Sequence, residues 1–404
     1  VRRVFPWALL IFFLAGTTVG IYLGLTSRRP LNVWDLQPLW RAGRWIAEGR
    51  GSPYSDELTD LLQRESYGRP VVEGEDPRAF VYPPYALLLV LPVIVLPLPW
   101  AQAAWFAVLL LGIVAGIVGA VRLAGWPLSA WQMLFIVLWG LLLYPIAWAF
   151  ALGQVSILVF ALLVAALLAI RSGREGWAGG GLALATIKPQ MSFLLVPALL
   201  LWALAKRRFR LLGSFGGAMA VLLLGSFIAV PGWPAQVVRA GAGYFEMQPF
   251  PPPAALLGKW IGDGVYQAVT GLLVALLLVG LAWAWWWERR APSLPRWATG
   301  LTLVITALIA PRTSIVNQTS LFIPLCLLFA EMARRGRRWR RVAFALGALL
   351  LVGLWVVDLL CFPPLSSGEH WHAQQRILSP VLPILLLIGL GTWPWWARKG
   401  ACRR

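Results

Sequence analysis

Residues 265–287 read VYQAVTGLLVALLLVGLAWAWWW, and Glu288, Arg289 and Arg290 come directly after them. An uncharged apolar run of this length suffices for a helix to cross a hydrocarbon layer about 30 Å thick. The arginines that close it mark the side on which the chain stops, because loops rich in Lys and Arg stay in the cytoplasm. The pattern recurs in both directions. Leu211–Val230 comes after the cluster Lys206–Arg210, Val342–Leu360 after Arg334–Arg341, and Ile377–Trp396 precedes the tail Arg398–Arg404.

With 59% hydrophobic and 13% charged residues, the composition excludes a soluble domain. The apolar runs are continuous rather than alternating, which excludes a barrel and leaves helices that satisfy their own backbone. The expectation is an all-α, polytopic transmembrane bundle of roughly ten to twelve passes, with residues 1–404 forming one integral membrane domain. The net charge of +19 is spread as short clusters between apolar runs, which encodes topology and argues against nucleic acid. Cys326, Cys361 and Cys402 are far apart, and His370 and His372 are the only histidines, so neither a disulfide framework nor a histidine metal site is expected. The run Val4–Leu25 is long for a signal peptide and lacks a small-residue cleavage site, so it reads as a retained helix with a cytoplasmic amino end.

Both termini are then cytoplasmic, and the topology leaves three outer loops, at 26–82, 231–264 and 361–376. The first is the large hydrophilic segment, holding nine of the sixteen acidic residues against eight arginines. Near neutrality there contrasts with the basic cytoplasmic loops. Within it, Leu36, Leu39, Trp40, Gly43, Ile46 and Ala47 recur at helical spacing opposite Arg41, Arg44 and Glu48, which predicts an amphipathic helix on the membrane surface. Helices are expected over Leu128–Phe150 and Val155–Ile170 with a break at Gly153-Gln154, and over Trp177–Ala205 with a break at Lys188-Pro189. The proline-rich stretch Pro84–Pro99 reads as a broken or re-entrant element. Tryptophans such as Trp283–Trp287 and Trp393–Trp396 flank apolar runs and read as headgroup-level anchors.

Few residues in such a chain can do chemistry. Asp35 opens the surface helix at Val33-Trp34-Asp35-Leu36-Gln37-Pro38, where a carboxylate at the lipid–water boundary would accept a proton from a hydroxyl. Its structural alternative is a helix N-cap, and the two roles are compatible. Lys188 lies inside a long apolar stretch at a cost of several kcal/mol unless it meets an anion or a cavity. Beside helix-end amides it would make a phosphate site, the alternative being a lysine that snorkels from a loop. In Pro311-Arg312-Thr313-Ser314-Ile315-Val316-Asn317-Gln318, Arg312 would fork onto a phosphate, with Asn317 and Gln318 as neutral donors, unless the segment is only a hairpin loop. Gln154, at a similar interruption, and Tyr82, in Phe80-Val81-Tyr82-Pro83-Pro84, complete the candidate substrate contacts. One topology puts Asp35, Gln154, Lys188, Arg312 and Asn317 on the outer face. One acid and two cations there suit a phosphate-bearing lipid and a hydroxyl.

The order Trp34-Asp35, Gly51-Ser52-Pro53-Tyr54, Phe80-Val81-Tyr82-Pro83-Pro84, Gly153-Gln154-Val155-Ser156, Ala178-Gly179, Ile187-Lys188-Pro189-Gln190 and Pro311-Arg312-Thr313 resembles glycosyltransferase family 87. That family includes polyprenyl-phosphate-mannose-dependent mannosyltransferases of actinobacteria. The resemblance implies a GT-C type fold with a large first extracytoplasmic loop, working in the cell membrane of a bacterium on envelope glycans. Its donor would be a polyprenyl-phosphate sugar, its acceptor a lipid or glycan hydroxyl. Asp35 maps onto the base, with Lys188 and Arg312 stabilising the leaving phosphate. No cofactor is implied, and Asp56, Asp60 or Asp76 would at most hold a divalent cation weakly. Competing readings are a transporter or lipid flippase, which should show related halves and midplane charges, and a non-catalytic membrane assembly subunit.

Overall fold

The computed structural model describes Thr18 and residues 35–72, 75–247, 263–291, 294–310, 314–361 and 378–392, and among these it is helical with no strand. Two expected features, the first helix Val4–Leu25 and the basic tail, lie outside the described residues. Helix is the outcome that apolar runs in lipid dictate, since every N–H and C=O must find a partner within its own segment. Five helices in the described residues are long and apolar enough to cross a membrane, namely Leu98–Ala124, Phe209–Ala229, Gln267–Arg290, Ile315–Arg334 and Arg337–Leu360. A bent pair, Ala130–Leu142 with Tyr144–Ala151, makes a sixth if counted as one span. The expected ten to twelve passes also include shorter apolar helices, among them Ser156–Arg171, Leu195–Ala205, Arg296–Ile309 and Val381–Gly391.

The chain divides into two compact units. The first comprises residues 1–114, 148–158 and 219–249. Its hydrophilic part folds as α1 (Leu36–Ala47) and α2 (Asp56–Tyr67), succeeded by a 3-10 segment at Pro84–Leu89 and the start of α3 (Leu98–Ala124). The expected amphipathic helix is α1, which buries Leu36, Leu39, Trp40 and Gly43, while Ala47, expected on that face, is exposed at its end and Arg41 and Arg44 are half-buried. Helix α2 carries its own start and stop signals: Ser55 Oγ accepts from the Leu58 N–H, Asp56 and Glu57 occupy the first turn, and Gly68 closes it in the left-handed region. Arg41 forks onto Glu65 and thereby ties α1 to α2. Buried Arg78 joins the same helices to the next stretch of chain, donating to Ser66 Oγ (3.0 Å) and Gln37 Oε1 (2.8 Å).

The second unit comprises residues 115–147, 159–218 and 250–404. From α3 onward the chain runs through α4 (Ala130–Leu142), α5 (Tyr144–Ala151), α6 (Ser156–Arg171), α7 (Glu175–Ala185), the single turn α8 (Pro189–Ser192), α9 (Leu195–Ala205), α10 (Phe209–Ala229), α11 (Trp233–Met247) and α12 (Asp263–Trp287). The unit is centred on α13 (Arg296–Ile309), in which every residue from Trp297 to Leu308 is buried. After α13 come α14 (Phe322–Arg334), α15 (Arg337–Cys361) and α16 (Val381–Gly391). Helix α13 packs against α12, α14 and α16. Its threonines bond back one turn, Thr302 Oγ1 to the Ala298 carbonyl at 2.6 Å and Thr306 Oγ1 to that of Thr302 at 2.7 Å, so no hydroxyl is wasted in an apolar setting.

Two helices differ from expectation or explain it. The single helix expected over Leu128–Phe150 bends by 63° at Leu143. Pro145 is the reason: it has no N–H and its ring crowds the carbonyl one turn back. The Leu142 carbonyl left over is taken by the indole of Trp355 at 2.9 Å. Within α7, Gly179 lies so close to α10 that a Cβ there would sit 2.5 Å from the Phe215 nitrogen and 2.7 Å from the Leu211 oxygen. Those are backbone atoms and cannot turn aside. Gly180 faces open space. Gly179→Val should therefore cost about 3 kcal/mol or more, whereas Gly180→Ala should be neutral or gain up to about 1 kcal/mol. Fluorescence-detected size exclusion and thermal unfolding in detergent read the contrast, and equal behaviour of the two variants would contradict the close approach.

Candidate active site

Asp35 occupies the N-cap position of α1, yet its side chain makes no cap hydrogen bond and its backbone is helical (φ −91°, ψ −20°) rather than extended. A capping aspartate would curl onto the amides of its own first turn. Here the residue is held instead by its main chain, whose N–H donates to the Leu152 carbonyl at 3.3 Å. That carbonyl belongs to the turn that ends α5. Gly153 takes φ +72°, a conformation only glycine adopts without strain, and lets the Gln154 N–H return to the Ala149 carbonyl at 2.8 Å. The indole of Trp105 donates to the Gly153 carbonyl at 2.7 Å and fixes the turn from behind. Asp35 and the turn leading into Gly153-Gln154, more than a hundred residues apart, thus meet through one backbone bond, and Gln154 is buried in that turn.

Facing Asp35 in the same unit are two phenols and a second carboxylate. Asp76 accepts the Tyr244 hydroxyl on Oδ2 at 2.9 Å and the Arg78 N–H on Oδ1 at 2.7 Å. Arg78 holds φ +57° to make that turn, a strained choice for a residue with a side chain. Tyr82 and Tyr244 both have their hydroxyl pKa raised, first by burial and then by the fields of Asp35 and Asp76. Both phenols therefore stay protonated and act as hydrogen-bond donors. The Tyr82 carbonyl is itself gripped by the Tyr54 hydroxyl at 2.6 Å, while Ser52 Oγ bonds Gln236 on α11. Gly51-Ser52-Pro53-Tyr54, which reads as a mere turn, is what seats Tyr82.

Tyr244 and the anchoring role of Asp76 escape a reading of the sequence. Tyr244 is 168 residues from its partner and belongs to a segment with no informative spacing. Asp76 shares with Asp56 and Asp60 the expectation of a weak cation ligand; those two lie exposed on α2. Among the described residues no group of three His, Cys, Asp or Glu gathers.

The remaining candidates belong to the second unit. Lys188 is buried at the break between α7 and α9. The next element is the four-residue turn α8, too short to offer the helix dipole that a half-helix would have supplied. This turn packs against α13 and against the 3-10 segment Ile315–Leu321. Asn317 and Gln318, expected on a hairpin tip, are buried in that segment. The Gln318 amide nitrogen is committed to the Ser379 carbonyl (2.5 Å) and hydroxyl (3.1 Å). Its oxygen, with Asn317 Oδ1 and Gln190 Oε1, is buried without a donor among the described residues. Gln318 thus turns its nitrogen to Ser379 and leaves its oxygen over. Arg312 lies outside the described residues.

The described residues are helical, with five helices long and apolar enough to cross a membrane. The family model described as glycosyltransferase family 87 matches residues 80–311, more than half of the chain, and the chain belongs to that family. It is a membrane glycosyltransferase. The matched stretch contains Tyr82, Gln154, Lys188 and Tyr244, while Asp35, Asp76, Asn317 and Gln318 flank it. No curated protein and no solved structure matches.

The Asp76–Tyr244 bond should be measurable on its own. A hydrogen bond onto a carboxylate contributes about 1.5 kcal/mol or more, so Asp76→Asn and Tyr244→Phe should each lower thermal stability and show a coupling of about 1 kcal/mol in a double-mutant cycle. Strict additivity would mean that the two residues do not touch.

Proposed function

We propose that this protein transfers a hexose, mannose being the best fit to the family resemblance, from a polyprenyl-phosphate donor to a hydroxyl of a lipid or glycan. The reaction takes place at the outer face of a bacterial cell membrane, within a GT-C type architecture whose termini are cytoplasmic. Asp35 is the general base. As the acceptor oxygen attacks the anomeric carbon, its proton passes to the Asp35 carboxylate, the bond from that carbon to the phosphate oxygen breaks, and polyprenyl phosphate leaves with inversion. Lys188 and Arg312 offset the charge that grows on the leaving phosphate, a contribution of the kind that dominates many active sites.

The observation that carries this reading is the behaviour of Asp35. Asp35 stands at an N-cap position without capping, and its charge is felt by the hydroxyls of Tyr82 and Tyr244. Tyr82, fixed by Tyr54, and Gln154, held in a glycine turn, suit a role in orienting the acceptor or the sugar. Asn317, Gln318 and Gln190 carry amides, which suit sugar hydroxyls as both donors and acceptors. The donor is already activated by its phosphate, so the chemistry calls for no cofactor.

Asp35→Asn tests the reading directly. In membranes supplied with a polyprenyl-phosphate hexose, turnover should fall by about 10²-fold or more, while the variant still purifies folded in detergent. An N-cap role predicts the reverse, a loss of about 1 kcal/mol in stability with transfer largely retained. Full transfer by the variant would remove Asp35 from the mechanism.

A further inference from the structure

Helix α3 ends at Ala124, and its last carbonyls are met by arginines from three other helices. Arg171, at the end of α6, donates through one nitrogen to the carbonyls of Arg122 (2.8 Å) and Leu123 (2.9 Å). Arg334, at the end of α14, donates to those of Ala124 (2.8 Å) and Gly125 (3.0 Å), and Arg296, at the start of α13, reaches Ala124 at 3.4 Å. The convergence is tight. A point one bond from the Gly125 Cα lies 3.3 Å from a nitrogen of Arg334, 3.7 Å from one of Arg296 and 4.0 Å from one of Arg171.

Helix capping does not account for three full charges. The carboxyl end of a helix carries only about half a negative charge, and one or two donors would serve its carbonyls. Five arginines stand here, counting Arg122 and Arg335, whereas the acids nearby are Glu331, which pairs with Arg334 and Arg335, and Glu288, which accepts the Ala298 N–H. The excess is positive. The carbonyls engage a single nitrogen of each of the three guanidiniums; Glu331 takes the other terminal nitrogen of Arg334, and further donors of Arg171 and Arg296 remain in the fork that matches a phosphate. Arg171 and Arg334 are exposed, and all three sit where apolar helices end, the level at which lipid headgroups lie.

We infer that Arg171, Arg296 and Arg334 bind a phosphate group, supplied by the headgroup of an anionic membrane lipid. The site is separate from the transfer chemistry: none of its residues belongs to the candidate catalytic set. Its occupant would offset the repulsion among the arginines and hold the ends of α3, α6, α13 and α14 together.

Purified full-length protein in detergent, titrated with phosphatidylglycerol, phosphatidylcholine or inorganic phosphate, tests this by native mass spectrometry and thermal shift. Phosphatidylglycerol should bind and stabilise more strongly than phosphatidylcholine, and its affinity should fall about tenfold or more in the triple variant Arg171→Gln, Arg296→Gln, Arg334→Gln. Should that variant fold poorly, the triple Arg-to-Lys replacement keeps charge and caps a carbonyl but lacks the fork, and a weaker preference for phosphatidylglycerol is expected of it. Arg338→Gln, Arg340→Gln, Arg341→Gln, which removes exposed charges on α15, should bind normally. Stabilisation by inorganic phosphate equal to that by phosphatidylglycerol would support the phosphate site with a soluble ligand as its source. Equal binding of both lipids with no effect of phosphate, or equal losses in the triad and control variants, would overturn the inference.

Discussion

Lipid donates and accepts no hydrogen bonds, so a helix interrupted within a membrane domain must find partners in the protein for every group it exposes. This chain interrupts its helices repeatedly, at Leu143, Gly153, Lys188 and Ser314. The partners at these points are side chains that reach across the bundle. Trp355 serves the Leu142 carbonyl, Trp105 that of Gly153, and three arginines the end of α3. Away from the breaks, Trp40, Trp139 and Trp297 likewise donate to the carbonyls of Leu96, Gly347 and Leu390. The breaks are costly features, and the candidate functional groups lie at them.

The clearest link between fold and chemistry is the single backbone bond from Asp35 to Leu152. The main chain anchors the residue to that turn, and its carboxylate does not cap the helix it precedes. At Asp76 both oxygens are engaged, one by the Tyr244 hydroxyl and one by the Arg78 N–H, while the Tyr82 carbonyl is held by Tyr54.

Much of this could be read from residues alone. Apolar length and Arg clusters gave a multipass helical protein, 3.6-residue spacing gave α1, and Pro and Gly marked the breaks at Gly153 and Lys188. The family emerged from the order of short motifs. The features that escaped had no local signature. Tryptophan reads as an interfacial anchor, since nothing in sequence separates an indole at the headgroups from one donating to a buried carbonyl. The bend at Leu143 hid behind hydropathy, which does not notice that Pro145 lacks an N–H. Gln318 looked like a donor because an amide is both donor and acceptor, and only its partner Ser379 decides which half remains.

The tryptophan latches also bear on how such a chain can change over generations. Tryptophan has a single codon, and one-base substitutions turn it into Arg, Gly, Ser, Cys, Leu or a stop. None of these puts an uncharged N–H at the end of a flat ring of that reach. Positions such as Trp105 and Trp355 therefore lack neutral mutational neighbours, and drift at these sites should be slow.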